Sequence, residues 1–160
     1  MLSSLFIKNI AVIENAQIEF EKGFNILTGE TGAGKSIIID SLNILKGERV
    51  SRELIRSGEQ KARVDGVFTV DAETQRYLSD EYGVEAEEGQ VVISREITAD
   101  GKNNIRINGI PQIASVLKEI GEVLVTIPGQ HDNTALLAKK THLNLLENFA
   151  GDDLFETLSD

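Results

Sequence analysis

At 160 residues with 41% apolar content, the chain is sized for one domain with a substantial core. Its formal charge of -10, from 26 acidic and 16 basic residues, argues against a general phosphate-neutralising grip on nucleic acid, which needs clustered Lys and Arg. No apolar run approaches the length of a membrane span, no basic-then-apolar leader is present, and the lack of Cys removes disulfides and thiolate metal sites, a combination that fits the cytoplasm.

In chain order, residues 5–9 form a short, mostly apolar segment, and 16–21 (AQIEFE) alternate with Ile18 and Phe20 facing inward. Gly23 breaks that run. Residues 24–28 (FNILT) are nearly continuous in apolar character and predict a strand buried on both faces. After the glycine-rich stretch 29–36, residues 36–46 predict a helix with Ile38, Leu42 and Leu45 on one stripe and Ile37, Ile39 and Ile44 on other faces. Such a helix is expected to be buried on most sides, with Gly47 stopping it.

The middle of the chain reads as antiparallel strands at 62–70, 90–98 and 103–109, the last two joined through the turn ADGK. Between Asp71 and Glu96 there are eight acidic residues against two Arg, which reads as a solvated sheet face. Residues 111–121 predict a helix with Pro111 in its first turn and Gly121 at its end. Residues 123–128 (VLVTIP) predict another buried strand leading into GQHDN, and 141–151 a last helix ended by Gly151.

The glycine-rich stretch carries the chemistry. Gly29, Gly34, Lys35 and Ser36 satisfy the spacing Gly-x-x-x-x-Gly-Lys-Ser, between a predicted strand and a predicted helix. A polyphosphate must come within hydrogen-bonding distance of several backbone N–H groups, and side chains would block that approach. Gly29, Glu30, Thr31, Gly32, Ala33 and Gly34 therefore form the phosphate cradle. Lys35 supplies a positive charge for the terminal phosphates, Ser36 a hydroxyl for Mg2+, and the helix start a favourable dipole. The expected ligand is ATP with Mg2+.

A compact kinase or GTPase would need an apolar strand ending in Asp to hold the metal. Residues 67–71 (VFTVD) imitate one, but they alternate apolar and polar, so Asp71 reads as the N-cap of a helix over AETQRYL. No Asn-Lys-x-Asp guanine signature occurs. A self-contained small P-loop phosphotransferase and a non-hydrolysing interaction module remain the alternatives.

The opening IKNIAVIENAQIEFEKGFNILTGETGAGKS, the segment LIRSGEQKARVDGVF and the segment PGQHDNTALL together resemble the head domains of SMC-like ABC ATPases, and among them the bacterial RecN DNA-repair family. Pro128 stands where that family is expected to carry His. The resemblance implies an α/β P-loop NTPase fold with a mixed central sheet and a smaller antiparallel β lobe. Residues 1–150 would be the N-terminal lobe of a split head, and 151–160 the start of the segment leading to a coiled coil.

By the same resemblance Gln130 is the Q-loop glutamine that senses the γ-phosphate and shares Mg2+ with Ser36, and one of Arg49, Arg52 and Arg56, Arg52 being the one retained as a cofactor-binding candidate, reaches the nucleotide. Ala11, Val12 and Ile13 are the candidates to lie against the adenine, each read first as plain core; His131 reads as a solvated loop residue and Asp132 as a support of the Q-loop. The implied partners are the C-terminal head lobe of the same protein, a second copy joined through sandwiched ATP, and DNA for the complete protein, weak or absent for this chain. The implied activity is ATP hydrolysis in recombinational double-strand-break repair by the complete, nucleoid-associated protein, with this chain alone inactive.

Overall fold

A computed structural model describes residues 1–28 and 33–125, which lie within one compact unit, Met1–Thr126. The elements in order are β1 (Leu2–Ile10), β2 (Ile13–Glu19), α1 (Ala33–Lys46), a 3-10 turn (Arg52–Leu54), β3 (Lys61–Thr69), α2 (Ala72–Tyr82), β4 (Gln90–Thr98), β5 (Asn103–Ile107), β6 (Ile110–Gln112) and α3 (Ala114–Leu124). The six strands make one sheet in the order β2-β1-β3-β4-β5-β6, every pair antiparallel.

Strict alternation decides which face of this sheet is dry. In β3, Ala62, Val64, Gly66 and Phe68 face inward, while Lys61, Arg63, Asp65, Val67 and Thr69 face out. The pairing register lines up Leu5, Gly66, Ile93 and Ile107 in one inward row, and Ile7, Val64, Arg95 and Ile105 in the next. α1 covers this face over β3 and β4 and packs against α3. The outer face is held by exposed pairs, Lys61 with Glu96 at 2.8 Å and Arg63 forked onto Asp65 at 2.9 and 2.8 Å.

β3, β4 and β5 lie where alternation places them, and the 98–102 turn closes with Gly101 at φ +90. Asp71 caps α2 as expected, its carboxylate accepting from the Thr74 N–H at 2.8 Å. Other expectations are corrected. Residues 24–28 form no strand: Phe24, Ile26 and Leu27 are 90%, 70% and 42% exposed, and among the described residues no neighbouring strand pairs with them. The expected mixed sheet is accordingly wholly antiparallel among the described residues.

Pro111 starts no helix but sits in β6 at the sheet edge, where a missing N–H costs no ladder bond. α3 runs to Leu124, so Val123 and Leu124 are helical rather than extended. Gly121 lies inside α3, not at its end, because a Cβ there would stand 2.6 Å from the Cα of Lys46. α1 buries Ile37, Ser41, Ile44 and Leu45, leaving Ile38 and Leu42 half-buried and Ile39 exposed, a narrower apolar stripe than the sequence suggests. Seven of the eight acids between Asp71 and Glu96 ride on the α2 boundary, α2 and the loop after it, with only Glu96 on the sheet. Residues 126–128 of the strand expected at 123–128, the helix expected at 141–151, and Gln130, His131 and Asp132 lie outside the described residues, as does the expected boundary at 150/151.

Candidate nucleotide site

The site is organised by α1. Its first turn holds no acidic residue, and Gly34, Lys35 and Ser36 are all exposed there. The first N–H groups of a helix have no partner within it and carry the positive end of the dipole, so this terminus is fitted to an anion. Beyond its own helix and chain neighbours, no described atom lies within 4 Å of where a Gly34 Cβ would stand. Ala33 belongs to the helix itself, whereas Gly29, Glu30, Thr31 and Gly32 lie outside the described residues.

Magnesium that travels with a nucleotide takes most of its ligands from phosphate and water and needs one or two from protein. Ser36, hydroxyl-bearing and exposed in the first turn of α1, fits that requirement. Among the described residues no three His, Asp or Glu side chains converge as a metal cluster.

The β1–β2 turn and the arginine segment are brought together. Ala11 N–H donates to the Leu54 carbonyl at 2.8 Å, Arg56 N–H to the Asn9 carbonyl at 2.9 Å, and Ile10 bridges Ile55. The Arg56 guanidinium donates to the Val12 carbonyl at 2.8 Å. Asn9 and Ala11 adopt left-handed backbone at φ 55 and 48, a conformation that such clamping sustains in residues with a Cβ. Asn9 is buried and its amide donates to Glu59 at 2.9 Å and to the Lys61 carbonyl at 3.3 Å. Val12 is left exposed at the tip of this turn. Of the three arginine candidates, then, Arg56 serves the turn. Arg52 lies across the Gly101 turn, its guanidinium carbon 3.0 Å from where a Gly101 Cβ would stand. Arg49 and Arg52 both line a cleft of about 400 Å³ beside Gly47, at the far end of α1 from Ser36.

Sequence reasoning missed one buried charged side chain, Arg95. It occupies an inward position of β4 in series with Val91, Ile93 and Ile97, and burial pushes its guanidinium pKa down from the usual value. A charged residue in phase with an apolar-inward series was the available signal. By contrast, Asp71 is held below the ordinary carboxylate range by the Thr74 N–H and hydroxyl, as a helix cap should be.

The AAA domain family matches residues 4–156 of the chain. The DNA repair protein RecN of Halalkalibacterium halodurans is 45% identical over 161 residues, covering 100% of this chain and 28% of that protein. RecN of Bacillus subtilis is 43% identical over 159 residues, covering 99% of this chain and 28% of its own length. A solved structure described as concerning ATP-driven dimerization and DNA stimulated activation of SMC ATPases superposes with a TM-score of 0.64 at 23% identity, covering 91% of this chain and 96% of that one. The chain thus spans little more than a quarter of the curated relatives it matches.

Proposed function

The chain belongs to the AAA domain family, and from that premise we propose that residues 29–36 bind Mg-ATP and that the chain is the ATP-binding lobe of an SMC-like head acting in DNA repair. The observation that carries the reading is the start of α1: an acid-free helix N-terminus presenting Gly34, Lys35 and Ser36 directly after the Gly29–Gly34 spacing. The N–H groups there hold the phosphates, Lys35 neutralises the outer oxygens, and Ser36 with Gln130 ligates the magnesium. Val12 and its neighbours Ala11 and Ile13 lie against the base on the clamped β1–β2 turn; Arg52 is the phosphate-reaching candidate that would have to move from the Gly101 turn.

The exposed Phe24, Ile26 and Leu27 support docking of a further lobe of the same protein, since apolar side chains preceding a phosphate loop gain by burial in a completed sheet. Hydrolysis belongs to that completed head, with ATP held between the phosphate loop of one copy and the opposing face of another. The RecN relatives are named as DNA repair proteins, which supports the same role for the complete protein. DNA contacts then come from the assembled heads or coiled coil rather than from this acidic chain.

Calorimetric titration with Mg-ATP tests the reading. A charge-assisted contact contributes about 1.5–3 kcal/mol, so Lys35→Ala is expected to weaken binding roughly tenfold or more. Equal affinity for the two proteins would refute the loop assignment.

A further inference from the structure

Arg95 stands 3% exposed in the row otherwise made by Ile7, Val64 and Ile105. Its Nη1 donates to the carbonyls of Ile44 and Glu48, both at 2.7 Å, and its Nε donates to Asn103 Oδ1 at 3.0 Å. None of these acceptors is a carboxylate. A buried guanidinium with no carboxylate partner among the described residues needs another source of negative potential, and here it is the C-terminal end of α1, where carbonyls lack helical partners and the dipole is negative.

That end of α1 is held from several directions. Gly47, left-handed at φ +96, closes the helix by donating to the Ile44 carbonyl at 3.2 Å, and Glu48 donates to Asn43 at 3.1 Å. Gly47 and Gly121 each meet backbone of the opposing segment so closely that a Cβ would clash, the first with Lys118 and the second with Lys46. Gly66 leaves room under Leu45 in the same way. The other end of the 14-residue helix, about 20 Å away, carries the exposed residues Gly34, Lys35 and Ser36.

We propose that Arg95 is a positioning residue for the phosphate site: by gripping the Ile44 and Glu48 carbonyls it fixes α1 along its axis, and so sets where its N-terminal N–H groups, Lys35 and Ser36 meet a triphosphate. The proposal rests on the reading that residues 29–36 bind Mg-ATP. A helix behaves as a rigid rod between its ends, so slack at the anchored end becomes displacement at the other. Lysine in place of Arg95 keeps the charge but loses the planar fork that serves two carbonyls and an amide at once.

The test is titration of the whole chain with Mg-ATP, for wild type, Lys35→Ala, Arg95→Lys and Arg95→Met, with circular dichroism and urea unfolding alongside. Folded Arg95 variants are expected to bind roughly 3- to 30-fold more weakly than wild type. Trimethylamine N-oxide restores stability through exclusion from the protein surface, and it is expected to leave that affinity loss in place. Wild-type affinity in a folded Arg95→Lys or Arg95→Met protein overturns the proposal, as does recovery of affinity with the osmolyte, which would mark a purely structural side chain. If Arg95→Met does not fold, Arg95→Lys decides. Failure of the underlying loop reading shows separately, as equal binding by wild type and Lys35→Ala.

Discussion

Gly121 sits inside α3, where alanine would raise intrinsic helix preference by about 1 kcal/mol. Packing opposes that gain, because the added methyl would lie 2.6 Å from the Lys46 Cα and 2.7 Å from its carbonyl carbon, both backbone atoms with nowhere to yield. Overpacking of this kind costs about 1–3 kcal/mol, so packing wins and Gly121→Ala is expected to lower the urea midpoint of the chain. An unchanged or raised midpoint would mean that α1 and α3 are not in backbone contact. Read from sequence alone, Gly121 looks like a helix stop, because glycine serves both ends and crossings of helices and nothing local tells them apart. Arg95 is hidden for a related reason. It passes for one more charge in a charged stretch until the register places it in line with Ile7, Val64 and Ile105.

Among the elements, α2 is the one whose start is written locally. The Asp71 carboxylate accepts from Thr74 N–H, and its pKa is lowered by that bond and by the Thr74 hydroxyl. A depressed folded-state value stabilises the fold above the unfolded carboxylate pKa near 4 and is lost as pH falls through the lower folded value. Asp71→Asn keeps an oxygen acceptor but removes the charge. We expect it to be less stable than wild type at pH 7, with the gap narrowing as pH drops below about 4, as followed by urea unfolding at each pH. A gap independent of pH would exclude the charged cap. The strands 61–69, 90–98 and 103–107 were equally legible, since each alternates cleanly and is bounded by turn residues. Residues 24–28 were not, because a continuous apolar run specifies burial without specifying its partner, and strand state depends on a neighbour's backbone. Pro111 misled in another way: it suits a helix start and a sheet edge alike.

For the whole molecule, division of labour follows from which groups are present. Asp71, whose sequence context imitates a metal-holding strand end, is committed to α2 and to Thr74. Asp71 is thereby taken out of consideration as the metal-holding carboxylate of the proposed phosphate site. We expect the chain alone to bind Mg-ATP and show no hydrolysis above background in a phosphate-release assay, with turnover appearing when the proposed C-terminal head lobe is supplied. Steady hydrolysis by this chain, abolished by Lys35→Ala, would instead indicate a self-contained phosphotransferase.

The exposed run at 24–28 has a colloidal consequence. The two edges of the sheet are blunted against uncontrolled pairing, β2 by Glu14 and Glu19 and β6 by its brevity and Pro111. Phe24, Ile26 and Leu27 carry no such protection, and the five residues FNILT contain neither charge nor proline. A net charge of -10 supplies self-repulsion that opposes association of separate copies. Salt that screens this charge at short range, or acid that neutralises it, is expected to turn the stickiness of three side chains into clustering of whole molecules, so the proposed phosphate loop follows directly in sequence on the chain's own point of precipitation.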